Sequence, residues 1–563
     1  MIRPRTLIDL LDGLRRSDRG VTFVDTGTVL AHRDLPAAAG PVTRRLRESG
    51  IARGDLVGLL MPTCPQWLAG FFGVLGTGAA VTALPLPPMV FDPDPVAEHL
   101  LPIVRTGGIR TLLTAGNGRT VALALAARMP ELRVIDIDDL DPDGDGTAWA
   151  PVAPDDLAVV QFSSGSTSRP KGVRLTHAQF ISGVAAINSH ISTTSDDVLV
   201  QWVPLFHDMG LVSLICSLLT PNDAHLFSAL TFIKNPATVL RHIAAVGATI
   251  TNGPNFSFDK LIAAAGEAFG DSLDARPLSR WRIALNGAEP VRAHTVRQFA
   301  RTFGPLGAAE STMCPCYGMA EATLAVTLPI PGTPPRVLTV DRDELVPGRP
   351  CRPVTPDSPK ARDLVAVGVP VPGIEVRITG LDGAVLPDGY VGEIRIQGPS
   401  VTEGYHGDED ITRATVIDGR LRTGDLGLLD NGELIIVGRV KEMIIAAGRN
   451  FYPDDVEEAA RTVPGVYKGH CVAVADSEAE TMIVVAESEH PADSPDGAAL
   501  IAAISGALSR ALALSAVSVL LVPAKALPRT TSGKWQRSLV AELARAHLSA
   551  DRSAAPLSMK VSS

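Results

Sequence analysis

Three absences narrow the reading of this chain before any motif is considered. Aromatic residues make up 4% of it, no basic tract is interleaved with them, and the formal net charge is -10, which together exclude a generic nucleic-acid binder. No clean hydrophobic span is present. The one uncharged run long enough to cross a bilayer, Leu56 to Phe91, carries Pro62, Pro65, Pro85, Pro87 and Pro88 and reads instead as a buried helix, a turn and a buried strand. Cysteine is sparse: of six, only Cys314 and Cys316 are close, and their spacing suits neither a zinc knuckle nor a CxxC redox pair. Buried thiols in a reducing cytosol are the expectation. Residues Met1 to Gly20 are charged throughout and lack the apolar region of a signal peptide. A soluble, cytoplasmic protein with no nucleic-acid partner and no integral membrane segment is therefore expected. No GxSxG elbow supports a serine nucleophile, and Gly76-Thr77-Gly78 does not open a βαβ unit fit for a dinucleotide.

What the chain does have is size and alternation. Its 563 residues, 45% of them hydrophobic, can bury several domains or one large domain with a satellite. Helical patterns at Thr6 to Arg16, Ala37 to Ser49 and Gln66 to Leu75 alternate with apolar runs at Leu56 to Leu60 and Ala80 to Leu84. Further apolar runs follow at Ile109 to Thr114, Leu199 to Val203, Ala248 to Asn252 and Trp281 to Asn286. Such alternation predicts α/β architecture with parallel-rich sheets covered on both faces. From Val367 to Leu434, short strands and the turn pairs Asp382-Gly383, Asp388-Gly389 and Asn431-Gly432 predict a small β-barrel or sandwich. The Pro/Arg-rich stretch Pro329 to Arg362 has little periodicity and reads as a surface loop. A small α+β unit closes the chain, with helices at Pro453 to Thr462 and Ala498 to Ala513 and strands near Cys471 to Ala475 and Met482 to Glu487.

The segment Val159 to His177 is the most informative. Its β-branched start reads as a strand end, followed by Ser163, Ser164, Gly165, Ser166 and Thr167, then Pro170 and Lys171. Backbone N–H groups and hydroxyls in such a loop can wrap a polyphosphate, and Lys171 adds a point charge. It is not a Walker A loop, because Lys171 is followed by Gly172 rather than by Ser or Thr. The loop points to ATP handled by something other than a P-loop NTPase.

Six more segments follow in order: Trp202 to Gly210, Asn286 to Pro290, Tyr317 to Ala322, Arg422 to Gly427, Gly438 to Ile445 and Leu527 to Arg537. With the loop, they resemble the ANL superfamily of adenylate-forming enzymes over essentially the whole chain. The segment Phe206 to Gly210, the run Asn255 to Phe258, the segment Tyr317 to Leu324 and the segment Gly448 to Glu457 are similar to the fatty acyl-AMP ligase branch. So is an extra stretch, 336–364, lying where those ligases carry an insertion.

The resemblance implies a large adenylation domain over 1–438, a hinge at 439–443 centred on Lys441, and a mobile C-terminal domain over 444–546, then a flexible tail over 547–563. It implies that residues 163–171 hold the β- and γ-phosphates of ATP and that Glu321 holds Mg²⁺, a hard cation suited to carboxylate oxygen. Asp425, assisted by Arg439, would take the ribose hydroxyls. Tyr317 would stack on adenine beside a wall formed by Asn286, Gly287 and Ala288, with Gly318 and Met319 adjoining. Lys534 would stabilise charge between the carboxylate and the α-phosphate. His207 either lines the carboxylate channel or is a hydrogen-bonded core histidine. Trp202, Phe206, Asp208, Asn255 and Phe256 are the candidate acyl-pocket residues. Two features depart from the common superfamily pattern: Ala320 where Thr is frequent, and Cys316 where a small Ser is common.

The implied reaction is activation of a fatty or related acid with ATP to acyl-adenylate, then transfer to the phosphopantetheine thiol of an acyl carrier protein. An acyl-CoA ligase using free coenzyme A shares every motif except the insertion. A non-catalytic adenylate-binding scaffold is the alternative of another class.

Overall fold

The computed structural model describes residues 4–141, 148–163, 170–270, 276–446, 449–476, 481–512, 514, 517–529 and 535–554. Two large sheets organise the first half. In one, six strands run in the spatial order Arg133–Asp136, Thr111–Thr114, Leu56–Leu60, Ala80–Ala83, Leu157–Ser163, Lys171–Thr176. All neighbours are parallel except the last two, which pair antiparallel with Ser163 opposite Lys171. The strands Leu56–Leu60, Ala80–Ala83 and Thr111–Thr114 are buried at every position, as doubly covered parallel strands must be. The predicted buried helix between the first two is Pro65–Leu75, where Trp67 stacks on Phe71 at 5.4 Å.

The second sheet has seven strands, in the order Met313–Pro315, Ile283–Asn286, Ile250–Gly253, Val198–Gln201, Asp223–Leu226, Gly20–Phe23, Thr28–Ala31. Only the Gly20–Phe23/Thr28–Ala31 edge pair is antiparallel. One hydrophobic core runs beneath both sheets, and a second gathers Trp281, Phe258, Phe299 and Phe303 behind the seven-stranded one. The parallel-rich α/β expectation is met.

The turn-rich region forms an antiparallel sheet of Glu375–Thr379, Gly392–Gln397, Arg420–Asp430 and Val416–Ile417, with Glu433–Arg439 also on Arg420–Asp430. Glu433–Arg439 in turn meets the 366–368 segment through the Ala366–Ile435 bridge and the bond from Val367 N to Leu434 O at 2.8 Å, in the region where the sequence predicted a small barrel or sandwich. Asn431 and Gly432 both have positive φ, 53° and 79°, as a two-residue hairpin turn requires. The Pro329 to Arg362 stretch is not the plain loop expected. It contains Val337–Asp341, paired antiparallel with Ala361–Val365 at its end, because Val340, Leu345 and, just beyond it, Leu364 find buried places that the prolines around them had masked in the pattern.

The last unit has a core of its own, running from Ile444 to Leu521. It comprises helices Pro453–Arg461, Pro495–Leu512 and Arg537–Ala554, and a three-stranded sheet of Cys471–Asp476, Thr481–Ser488 and Val517–Pro523. The final helix continues to Ala554, past residue 547 where a flexible tail was expected. Among the described residues, no helix is long and apolar enough to cross a membrane.

Candidate active site

The hairpin that carries Lys171 returns antiparallel and does not feed a helix directly, which explains why the loop departs from the Walker pattern. The following helix, His177–His190, starts only after Thr176, whose hydroxyl and Gln179 form a capping box. Gly172 is required by packing: a Cβ there would meet Val160 Cγ1 at 2.8 Å and the Phe162 ring at 3.0 Å. Ser164, Gly165, Ser166 and Thr167 lie outside the described residues, as do Gly448 and Lys534; for Ser163, only the backbone is described.

Lys171 and Glu321 meet through a residue the sequence reading did not single out. Tyr405, 4% exposed, donates its hydroxyl proton to Glu321 Oε1 at 2.9 Å, and Lys171 Nζ sits 5.8 Å from the centre of its ring. Glu321 lies on the short 3₁₀ turn Ala320–Ala322, ended by Thr323 at φ 68°, a strained conformation for a β-branched residue. Thr323 is held there by its hydroxyl, which donates to Ser400 O at 3.0 Å. Burial raises the Glu321 carboxyl above the ordinary carboxylate range; its own backbone N–H and the Tyr405 hydroxyl oppose the rise, and the charge of Asp208 adds to it.

The second cluster centres on Asp425, on the long strand Arg420–Asp430. Arg439, its cross-strand neighbour, donates from Nε to Asp425 Oδ1 at 2.7 Å, and the Tyr317 hydroxyl donates to Oδ2 at 2.6 Å. The Asp425 side chain is 6% exposed, so this charge is held in a poorly solvated place by two donors. The Asp425 carboxylate raises the Arg439 guanidinium; burial and then the same carboxylate raise the Tyr317 phenol. Tyr317 therefore engages the proposed ribose carboxylate through its hydroxyl.

Asn286 ends a buried strand, and its amide donates to Asn255 Oδ1 at 3.2 Å. The chain then turns through Gly287 and Ala288, the latter at φ 64°. A Cβ on Gly287 would stand 2.7 Å from Cys316 Sγ, so the missing side chain is what accommodates this thiol. Gly318 and Met319 continue from Tyr317, and Met319 N–H donates to Leu324 O at 2.7 Å, closing the turn around Glu321.

His207 caps the helix Asp208–Leu219. Its Nδ1 lies 2.6 Å from Asp208 Oδ1, which also accepts from Met209 N at 2.7 Å. Met209 N also lies 3.3 Å from His207 Nδ1, the cap bond of this helix. The other acyl-pocket candidates divide. Trp202 is packed in the core, stacked on Phe232 at 4.4 Å with its indole N–H on Ser257. Asn255 is 1% exposed and commits its amide to Thr295 and Asp259. Phe256 is exposed at 37%, and Phe206 is half-buried, its carbonyl held by Gln161 at 2.7 Å. Asn255 and Phe256 are adjacent on the helix Asn255–Phe269, the first buried and the second exposed.

Lys441 lies in the turn after the strand Glu433–Arg439, and its neighbour Glu442 accepts from Arg537 Nε at 3.1 Å. The 336–364 stretch meets the last unit directly. Arg449 donates to Asp343 at 2.7 Å, Tyr452 donates to Leu345 O at 2.8 Å, and Arg362 pairs with Asp455 at 2.7 Å.

A model of the AMP-binding enzyme family matches residues 14–406. The chain is 34% identical to the medium-chain-fatty-acid–[acyl-carrier-protein] ligase JamA of Moorena producens, covering 95% of this chain and 94% of that protein. It is 33% identical to the long-chain-fatty-acid–AMP ligase FadD32 of Mycolicibacterium smegmatis, covering 86% and 84%. Among solved structures, one from a study of the fatty acyl-adenylate ligases of E. coli and L. pneumophila superposes with a TM-score of 0.89 at 29% identity, covering 97% of this chain and 98% of the other. Sequence, fold and family model agree, and the chain belongs to the AMP-binding enzymes of the ANL superfamily, in the fatty acyl-AMP ligase branch.

Proposed function

We propose that this protein couples ATP to a fatty or related carboxylic acid and then passes the acyl group to the phosphopantetheine thiol of an acyl carrier protein. The observation that carries the reading is the pairing of two built clusters, Asp425–Tyr317–Arg439 and Glu321–Tyr405–Lys171. One suits a ribose and the other a polyphosphate.

In the first step a carboxylate oxygen attacks the α-phosphorus and the bond to the β-phosphate oxygen breaks, releasing pyrophosphate. In the second, the thiol attacks the acyl carbon, AMP departs with the electron pair of the acyl–oxygen bond, and the thiol proton is lost. Both reactants of the first step are anions, so the protein's work is charge neutralisation and alignment. Lys171 clamps the leaving phosphates with the loop 163–167. Asp425 accepts from the ribose hydroxyls and Arg439 holds it in place. Asn286, Gly287 and Ala288 wall the adenine beside Tyr317, with Gly318 and Met319 supporting it. His207 flanks the acyl carboxylate. Lys534 acts at the reacting carboxylate from the C-terminal domain, which turns about Lys441 between the two steps.

Magnesium fits this donor set. Glu321 offers a carboxylate whose Oε1 is already fixed by a hydroxyl, leaving Oε2 for a hard cation. When bound, the ion would offset phosphate charge.

The relative JamA is named for a carrier-protein ligation, and the contact between the 336–364 stretch and the last unit supports the same acceptor here. The test is purified protein with a fatty acid, ATP and Mg²⁺, offered either a holo carrier protein or coenzyme A. Acid-dependent pyrophosphate release and carrier acylation are expected. Efficient acyl-CoA formation would overturn the acceptor; no pyrophosphate release across a wide acid panel would leave the scaffold reading.

A further inference from the structure

The segment from Ser400 to His406 acts as a strap across the phosphate side. Arg174 N donates to Gly404 O at 3.2 Å, His406 N donates to Gly172 O at 2.7 Å, and the Thr402 hydroxyl donates to Arg174 O. Val173 and Tyr405 form a β-bridge. These contacts pin the strap to the strand that begins at Lys171. On its other side, Thr402 N donates to Glu321 O at 2.7 Å, and the Thr323 hydroxyl reaches Ser400 O. The strap therefore fixes both arms of the phosphate site from below, and Tyr405 is its one side chain that reaches both Glu321 and Lys171.

We propose that Tyr405 is a positioning residue for adenylation, whose hydroxyl orients Glu321 for the divalent cation and whose ring supports Lys171 for the phosphates; this rests on the adenylation reading above. The hydroxyl donates its proton to Glu321 Oε1, and the Thr415 side chain also bonds it. By occupying Oε1, Tyr405 selects one carboxylate orientation. Partners of this kind, once removed, usually lower metal affinity or activity by about 10- to 100-fold. The ring does a separate job, because the lysine charge lies within the distance at which an aromatic face attracts a cation.

The two functions separate by substitution. Tyr405→Phe keeps the ring and deletes the hydroxyl; Tyr405→Leu deletes both. The probe is Mn²⁺, whose binding to protein with ATP is read by electron paramagnetic resonance, with ATP binding in EDTA read by calorimetry. For Tyr405→Phe we expect Mn²⁺ affinity to fall by about tenfold, with metal-free ATP binding and the KM for the fatty acid unchanged. For Tyr405→Leu, metal-free ATP binding should weaken as well. Unchanged Mn²⁺ affinity in Tyr405→Phe would overturn the assignment to Glu321. Equal losses of metal-free ATP binding and Mn²⁺ binding in Tyr405→Phe would mean a general structural role and would also overturn it. Unchanged metal-free ATP binding in Tyr405→Leu would overturn the support of Lys171. Wild-type protein that binds no Mn²⁺ with ATP would overturn the adenylation reading and this inference with it, whereas wild-type binding with an unaffected phenylalanine variant defeats the inference alone.

Discussion

Asp425→Asn is the sharpest probe of the ribose cluster, because the change is isosteric and the partners on both sides are known. In the wild type, Oδ1 accepts from Arg439 Nε at 2.7 Å and Oδ2 accepts from the Tyr317 hydroxyl at 2.6 Å. The asparagine must turn its oxygen toward Arg439, since an amide N–H facing a guanidinium N–H is repulsive. Its amide then faces Tyr317, whose hydroxyl rotates to accept instead of donate. The fold therefore survives, and a thermal midpoint close to wild type is expected. What is lost is charge. A hydrogen bond to an ionised group contributes roughly 1.5–3 kcal/mol against about 1 kcal/mol for a neutral one. Each ribose hydroxyl bound by Asp425 thus loses about 0.5–2 kcal/mol, and two lose about 1–4 kcal/mol. At about 1.4 kcal/mol per tenfold, kcat/KM for ATP should fall roughly 5- to 700-fold. Pyrophosphate release at saturating fatty acid, with ATP varied, measures it. A value within about threefold of wild type, a difference of under 1 kcal/mol, would refute the reasoning that Asp425 carries the ribose.

Other outcomes follow from the same geometry. Lys534→Ala should slow acyl-adenylate formation by about 100-fold or more, the usual cost of losing one transition-state charge partner, while carrier acylation from supplied acyl-adenylate persists; equal adenylation rates would remove Lys534 from its role. Gly172→Ala places a methyl 2.8 Å from Val160 Cγ1, and overpacking of this kind costs about 1–3 kcal/mol. Urea unfolding should show that loss, and the KM for ATP should rise because the strand starts at Lys171. Burial pushes the Asp455 carboxyl up to about 6 despite Arg362 beside it. With an unfolded value near 4, the native state binds more protons in the window from about pH 4 to 6, so this group's contribution declines as pH rises through it. The stability of Asp455→Asn relative to wild type should therefore improve from pH 4 to 6; a constant or opposite difference in urea titrations would refute the assignment.

Much of the architecture was readable in the chain. The buried runs at Leu56–Leu60 and Ala80–Ala83 announced covered parallel strands, and Asn431-Gly432 announced a hairpin, because both signals are local. The Pro329 to Arg362 stretch was misread for the same reason: its strands alternate weakly, and what makes them strands is the surface they pack on. The candidate site divides similarly. Asp425, Arg439, Glu321 and Lys171 were identified by motif, whereas Tyr405 and Thr402 carry no signal beyond an unremarkable glycine-tyrosine pair.

The sequence by itself determined which elements form, which residues can carry charge and phosphate chemistry, and which classes of function are excluded. Only the tertiary structure decided who touches whom. Tyr317 reaches Asp425 across 108 residues, and Tyr405 reaches Glu321 across 84. Periodicity records which face of a strand or helix is buried; it holds no information about the partner waiting there. That partner is chosen by the path of the chain, which brings Trp202 into the core as an aromatic stack and sets the Tyr405 hydroxyl of the strap against Glu321.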